Sequence, residues 1–347
     1  MDQINALSQM LELITRPAFA VKDGQILLAN AGARQLLLVP GTRLDPMLNT
    51  CREDYSRFQE GCMALQLQLG EELLPAQAVQ LSELVIFTLD EASDPRLQAM
   101  ALAAEKLRTI LADTITAADR LLPNVAEDAK PQAAGLTRGL YQLLRNVGNM
   151  SDADKYSRGN LPQTTVEADS FFRELTEKAA ALLEQKQITL TYSGLSGTLY
   201  CLMQQELMER AVYNLISNAV RHMPAGGTVQ ARLSRSGSRL HFSLEDNNLD
   251  APDPGSILGL SHRGPGMEDS RKGIGLGMVL VRQAAAAHGG TVLIEKPAGL
   301  RVTLSFPIRQ GGSQVRTPVF GVDYTGELDH GLIELSDVLP RESYQLP

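Results

Sequence analysis

The sequence predicts a multidomain α+β protein. Its 347 residues allow two or three domains at roughly 150 residues each. A hydrophobic content of 44% with 21% charged residues is that of an ordinary folded protein. Apolar and polar residues alternate in short runs near both ends of the chain, as in strands, whereas the middle repeats apolar residues at helical spacing. We therefore expect a strand-containing domain on each side of a helical segment.

The first expected domain covers residues 10–92. Two apolar runs, Pro17–Val21 and Gln25–Asn30, flank an Asp-Gly turn, which is a signal for a β-hairpin. A helical stretch follows over Ala31–Leu38, and Leu84–Leu89 reads as a strong late strand. This order predicts a small α+β domain.

Residues 93–157 predict two helices. Their apolar residues keep alternating spacings of three and four. In the first helix, where Arg108 is the one polar break, they are Leu97, Ala101, Ala104, Leu111, Ile115, Ala118 and Leu122, and in the second they are Leu136, Leu140, Leu143, Val147 and Met150. This heptad stripe, broken by a connection rich in proline and acidic residues, predicts an antiparallel helical hairpin. One hairpin leaves its stripe half covered. We expect either a second copy to complete a four-helix bundle or the flanking domains to cover it.

The third expected domain, residues 166–310, follows a polar linker at 151–168. Its predicted helices are Ser170–Gln185, Gln204–His222 and Ile274–His288, and its predicted strands lie near Ile188–Tyr192, Thr228–Leu233, Leu240–Leu244, Thr291–Glu295 and Arg301–Phe306. Alternating strands in successive hairpins predict a mixed sheet with helices on one face. A C-terminal extension, 311–347, is apolar enough to dock on the body and suggests no function of its own.

Two features of this domain could carry chemistry. Gly273, Gly275 and Gly277 stand at the start of a predicted helix, where backbone N–H groups and the helix dipole favour a phosphate. Asn214 and Asn218 are four residues apart and share one helix face, and amide oxygens suit Mg²⁺ that arrives with phosphates. A glycine-rich turn packed on a helix and two solvated asparagines would leave the same pattern. Together the two features favour a nucleotide site.

The order of these motifs resembles a known family. An Asn-Leu-Ile-x-Asn-Ala helix from Asn214, a strand ending at Asp246, a Gly-x-Gly-Leu-Gly string from Gly273 and a His-Gly-Gly ending at 288–290 resemble the ATP-binding domain of sensor histidine kinases, in the GHKL superfamily. The domain over 10–92 resembles the PAS sensor domains, and the hairpin resembles the dimerisation and phosphoacceptor hairpin. The resemblance implies a PAS-like sensor domain, a dimerisation hairpin and an α/β sandwich ATP-binding domain.

The resemblance also implies ATP and Mg²⁺ as cofactors. It makes Asn218 the Mg²⁺ ligand and Asp246 the acceptor for the adenine amino group. It places the following residues at the triphosphate or its lid: Asn214, Arg221, His222, Gly273, Gly275, Leu276 and Gly277.

Two departures from the family bear on activity. Asn248 and Asp250 stand where the family has the glycines of Asp-x-Gly-x-Gly, so we expect nucleotide binding to be weakened or lost. Glu105 stands where the family has its phosphoacceptor histidine, and a carboxylate cannot act as the nitrogen nucleophile that gives a phosphoramidate. The hairpin offers no substitute, since the histidines are at positions 222, 241, 262, 288 and 330.

The predicted function is cytoplasmic, histidine-kinase-like signal transduction with impaired histidine autophosphorylation, a pseudokinase. The expected partners are a second copy, through the hairpin, and a response regulator or another signalling protein. A net charge of −8 with dispersed basic residues argues against nucleic acid and membrane, and three cysteines fit a reducing compartment. The alternatives are an active kinase that phosphorylates a partner protein and a dimeric scaffold that binds no nucleotide.

Overall fold

The computed structural model describes residues 2–90, 95–121, 124–155, 162–221, 223–248, 254–255, 276–309 and 328–344. The first domain contains helices α1 (Asp2–Leu13), α2 (Ala31–Gln35), α3 (Asp45–Leu48) and α4 (Arg52–Tyr55), and strands β1 (Ala18–Lys22), β2 (Gln25–Ala29), β3 (Cys62–Leu69), β4 (Glu72–Leu81) and β5 (Leu84–Leu89). The strands form an antiparallel sheet in the order β2-β1-β5-β4-β3. The predicted hairpin and the late strand are confirmed, and β3 and β4 are additional.

Local chemistry explains how this domain starts. Asp23 and Gly24 both have positive φ, 50° and 72°, as the tight turn between β1 and β2 requires. The Asn30 side chain accepts from the N–H groups of Ala18 and Ala33, both at 2.9 Å, and thereby fixes the start of β1 and caps α2. Phe19 stacks on Phe87 with ring centroids 5.0 Å apart in the core between the sheet and the short helices.

Helices α5 (Pro95–Leu121) and α6 (Lys130–Lys155) pack along each other, so the two-helix prediction is confirmed. The apolar stripe predicted for α6 is half covered, as expected for a single hairpin: Val147 is buried, whereas Leu136 and Leu143 are 55% and 53% exposed. The buried face of α6 also carries Ala134, Tyr141 and Leu144. Tyr141 packs edge-to-face on Tyr344, with ring centroids 5.6 Å apart, so part of the hairpin is covered by the C-terminal end of the chain.

The last domain contains helices α7 (Ala168–Leu183), α8 (Gln205–Val220), α9 (Gly277–Ala287) and α10 (His330–Glu334), and strands β6 (Thr164–Glu167), β7 (Thr189–Ser193), β8 (Tyr200–Met203), β9 (Thr228–Ser236), β10 (Arg239–Asp246), β11 (Thr291–Glu295) and β12 (Arg301–Pro307). The sheet order is β11-β12-β10-β9-β7, with β7 parallel to β9 and the other pairs antiparallel. Helices α7, α8 and α9 pack against these strands, which confirms the mixed sheet. The linker prediction is wrong at both ends, because α6 runs to Lys155 and β6 pairs with β8.

The sheets of the first and last domains are joined edge to edge. Strand β3 pairs with β11 in an antiparallel register that sets Ala64 opposite Val292 and Cys62 opposite Ile294. Gly61, at φ +83°, allows this approach, since a Cβ there would lie 2.1 Å from the Ile294 carbonyl oxygen. The result is a continuous ten-stranded sheet in the described chain. None of the helices described is both long and apolar enough to cross a bilayer.

Candidate nucleotide site

Helix α8 carries the two asparagines and is held at its start. The Gln204 side chain caps it by accepting from the Leu207 N–H. The Gln204 N–H in turn donates to His288 Nε2 at 3.0 Å, so the neutral imidazole carries its proton on Nδ1 and donates to the Ala284 carbonyl at 2.7 Å. Burial lowers the pKa of His288, which keeps it in this neutral form. His288 therefore fastens the start of α8 to the end of α9.

Asn214 is where α8 meets the start of α9. Its side chain is fully buried, Nδ2 donates to the Arg210 carbonyl at 2.8 Å, and Oδ1 accepts from Arg145 Nη2 at 3.1 Å. A Cβ on Gly277 would lie 2.6 Å from this Oδ1. The amide-bearing helix and the end of the glycine string thus face each other. Because Asn214 is engaged at both ends of its amide, its contact with a triphosphate stays a prediction.

Asn218 lies one turn further along α8 and differs from Asn214. It is half-buried, and its amide makes no hydrogen bond with the residues that the structure describes. A carboxamide oxygen without a protein partner at a partly open position fits a hard cation such as Mg²⁺. Asn218 is therefore the residue of α8 that suits the predicted metal.

Arg221 follows α8 and is 25% exposed. Its Nη2 lies 3.3 Å from Asp337 Oδ2, so the guanidinium predicted to lie near phosphates contacts a carboxylate from the C-terminal end of the chain. A charged hydrogen bond of this kind shows that the end of α8 presents a cationic group to an anion.

Asp246, the predicted adenine acceptor, ends β10 and is buried. Its Oδ1 accepts from the N–H groups of Asn248 and Leu300, both at 3.0 Å. Burial raises the pKa of Asp246, and these two hydrogen bonds only partly oppose that rise. The carboxylate is thus fixed in direction and poorly solvated, as a group that recognises one amino group would be.

The turn after Asp246 begins with Asn247 and then Asn248, which stands at the first glycine position of the family motif. Asn247 Oδ1 accepts from the Thr228 N–H at 3.1 Å, which ties the turn to the start of β9. Among the residues described, positive φ occurs at neither Asn247 nor Asn248. The backbone up to Asn248 therefore does not need glycine, although its side chain still adds bulk to the turn.

The remaining predicted site residues divide into two groups. Leu276 is buried and precedes α9. Glu105 is exposed on α5. His222, Gly273, Gly275 and Asp250 lie outside the described residues.

We expect Gly277→Ala to lower the free energy of unfolding by about 1–3 kcal/mol, because the new Cβ must displace the buried Asn214 amide. Gly135→Ala is the matched control, since no atom lies within 4 Å of a Cβ at this glycine of α6 and alanine is the better helix former. Urea unfolding of both variants checks this. Equal stability changes would mean that Gly277 and Asn214 are not in contact.

Arg145 and Arg210 contribute to this region without having been predicted from the sequence. Arg145 reaches Asn214 from α6, and Arg210 Nε pairs with Glu334 Oε1 at 2.9 Å. Both arginines are almost fully buried. Buried arginines in amphipathic helices leave no local signal, because their partners are far away in the sequence.

Comparisons with known proteins agree with this site. Residues 203–310 match the family of histidine kinase-, DNA gyrase B- and HSP90-like ATPases. This match covers α8, β10, α9 and the strands around them. Residues 203–310 therefore form a histidine kinase-like ATPase domain.

The similar proteins include sensor kinases from distant organisms. The hybrid signal transduction histidine kinase D of Dictyostelium discoideum is 25% identical over 332 residues, 88% of this chain and 21% of the relative. The sensor protein IrlS of Burkholderia pseudomallei is 34% identical over 106 residues, 29% of this chain and 23% of the relative. The chain thus spans about a fifth of the length of these relatives.

Solved structures support the same fold. The crystal structure of full-length ShkA in complex with AMPPNP has a TM-score of 0.50 and 22% identity, covering 62% of this chain and 47% of that one. At this identity the likeness concerns the fold of this chain and not its activity.

Proposed function

We propose that this histidine kinase-like protein binds Mg·ATP between α8, the start of α9 and the end of β10, and that it transmits a signal in the cytoplasm without phosphorylating a hairpin histidine. The observation that carries the proposal is Asn218 on the helix that contacts Gly277: its half-buried amide makes no hydrogen bond within the part of the chain that the structure describes. Asn218 would hold the metal, and Asp246 would accept from the adenine amino group. When bound, the metal would neutralise phosphate charge.

The impaired autophosphorylation rests on the residues of the hairpin. Glu105 occupies the exposed acceptor position, and its carboxylate cannot form a phosphoramidate. The histidines described by the structure are engaged elsewhere: His241 Nε2 lies 3.4 Å from Asp54, His288 is buried between α8 and α9, and His330 contacts Glu209 at 3.1 Å. The output would then be conformational, with the nucleotide favouring one arrangement of the hairpin by its differential affinity.

The exposed face of the hairpin supports a homodimer. Leu102 and Ile110 of α5 are 68% and 62% exposed, and Leu136 and Leu143 of α6 are also exposed. Four large apolar side chains on one helical hairpin are best covered by the same face of a second copy. A response regulator or another signalling protein would read the arrangement of that dimer.

Asp246→Asn tests the nucleotide site. Asparagine keeps an oxygen that can accept from the N–H groups of Leu300 and Asn248, but it puts a donor where the carboxylate would face the adenine amino group. We expect the Kd for Mg·ATP to rise about 10- to 100-fold, because one charged hydrogen bond is lost.

The same substitution should not lower stability. The pKa of Asp246 is raised on folding, so its ionised form costs stability at neutral pH, and the free energy of unfolding should stay equal or rise.

The measurement is titration with a fluorescent ATP analogue, followed by urea unfolding at pH 7, with the exposed Asp113→Asn as control. If the wild-type chain shows no saturable binding, the scaffold alternative is correct. If Asp246→Asn binds like the control, Asp246 does not contact adenine. Transfer of labelled γ-phosphate to this chain or to a partner protein would favour the active kinase instead.

A further inference from the structure

We propose that Arg145 and Arg221 form an anion site at the end of α8, that Asp337 occupies this site in the nucleotide-free chain, and that a phosphate group of ATP takes the place of Asp337. The C-terminal segment, residues 328–344, would then be a latch that closes when the nucleotide is absent. This inference rests on the proposed nucleotide site and adds its regulation.

The geometry at Asp337 is that of a bound oxyanion. One carboxylate oxygen, Oδ2, pairs with both Arg145 Nη1 and Arg221 Nη2. Arg145 is 3% exposed, whereas Arg221 and Asp337 are 25% and 19% exposed, so the site is closed on one side and reachable from the other. Two guanidinium groups around one oxygen are equally suited to a phosphate oxygen.

Arg145 connects this anion site to the predicted nucleotide site. While its Nη1 contacts Asp337, its Nη2 donates to Asn214 Oδ1 at 3.1 Å. Asn214 touches the start of α9 at Gly277. The side chain of Asn214 therefore connects the anion-binding Arg145 to the point where α8 and α9 meet.

The C-terminal segment is docked on both the hairpin and the ATPase domain. The Ser336 carbonyl accepts from Arg138 Nε at 3.2 Å and from Gln142 Nε2 at 3.0 Å, both on α6. Glu334 pairs with Arg210 of α8. The segment thus bridges α6 and α8, and its release would remove this bridge while leaving the direct contacts of α6 with α8, such as that of Arg145 with Asn214.

The negative charge of its phosphates makes ATP a competitor of Asp337. A triphosphate carries more negative charge than one carboxylate and can satisfy both guanidinium groups, so saturating ATP should displace Asp337. Because ATP binds only chains in which the latch is open, the apparent Kd for ATP equals the intrinsic Kd divided by the fraction of open chains. Adenosine lacks phosphates, so it does not compete with Asp337 and should be insensitive to the latch.

The test compares Asp337→Asn with Glu342→Gln, a neutralisation in the same segment at a side chain that is 61% exposed. We expect Asp337→Asn to lower the Kd for Mg·ATP about fivefold or more, since a charged contact is weakened, and to leave the Kd for adenosine unchanged. Glu342→Gln should change neither value. Hydrogen exchange of residues 328–344 in the wild-type chain should become faster when AMPPNP is added.

The possible results distinguish a failure of the latch proposal from a failure of the proposed nucleotide site. If wild-type chain binds ATP and Asp337→Asn binds it equally or more weakly, the latch is wrong and the nucleotide site stands. If Asp337→Asn tightens adenosine as much as ATP, the effect does not act through phosphate and the anion site is wrong. If neither chain binds ATP or adenosine, the proposed function fails and the latch fails with it. Unchanged or slower exchange of the segment with AMPPNP would also overturn the latch.

Discussion

Replacing Arg210 with methionine should lower the free energy of unfolding by about 3–5 kcal/mol, the cost of breaking a buried ion pair from one side. Arg210 is 1% exposed and contacts Asp152, pairs with Glu334 Oε1 at 2.9 Å and donates to Asn149 Oδ1 at 2.7 Å. Methionine fills a similar volume but leaves the buried Asp152 carboxylate without its cation and Glu334 with only Arg145 Nε, 3.6 Å away. These carboxylates come from α6 and α10, so the variant should loosen both from α8.

Urea unfolding with a matched control measures this effect. Arg57→Met removes an i,i+4 pair with Glu53 in which the arginine is 46% exposed, and it should cost no more than about 0.5 kcal/mol. A loss below about 1 kcal/mol for Arg210→Met would mean that water reaches the cluster. Adding Asp152→Asn to Arg210→Met should recover part of the loss, because the carboxylate that has lost its cation is then neutral.

The secondary structure that follows from local pattern could be predicted from the sequence. The hairpin around Asp23 and Gly24 has its turn where the Asp-Gly pair stands, and the late strand and β11 have the predicted bounds. In each case neighbouring residues carry the signal, as turn chemistry or as alternation. Alternating Leu65, Leu67 and Leu69 carry the same kind of signal for β3.

Long-range pairing could not be predicted in this way. The edge of β3 could join any free strand edge, and only Gly61, which brings its backbone against Ile294, hints at a close contact. Which side of α6 is buried also depends on a segment far away in the sequence. A heptad pattern shows that a helix has an apolar side, but Tyr141 rather than Leu143 is buried because the C-terminal segment covers that side.

The candidate site shows the same division. The motif order predicts that α8 and the start of α9 belong together, and the contact between Asn214 and Gly277 agrees with it. Nothing local in the sequence predicts that Arg145 would reach Asn214 or that Asp337 would pair with Arg221. Ion pairs between distant segments depend on the finished fold, so the most polar part of this region is the part that the sequence reveals least.

Replacing Asp54 should give the second large loss of stability, because its side chain links the first domain to the ATPase domain. It lies on α4 and is buried. Its Oδ2 forms an ion pair with Arg239 Nη2 at 2.7 Å and accepts from Thr291 Oγ1 at 2.7 Å, while Oδ1 accepts from Ser305 Oγ at 2.8 Å. Burial would raise the pKa of Asp54, but hydrogen bonds from His241 and these partners outweigh it and hold the pKa below its ordinary value. The carboxylate is therefore charged at neutral pH and compensates the buried Arg239.

Asp54→Ala should cost about 3–5 kcal/mol at pH 7, since Arg239 is left buried without its counter-ion. The contribution of Asp54 to stability should depend on pH. A carboxyl group whose pKa is lowered on folding stabilises above its unfolded pKa of 3.8 and loses that contribution as the pH falls through its folded pKa. The difference in the free energy of unfolding between wild type and Asp54→Ala should thus shrink below pH 4, whereas the exposed Asp45→Ala should differ little from wild type at any pH.

A double variant, Asp54→Leu with Arg239→Met, should lose less stability than Asp54→Ala alone, because no buried charge is then unpaired. If the double variant is as unstable as the single one, the unpaired charge of Arg239 is not the cause of the loss.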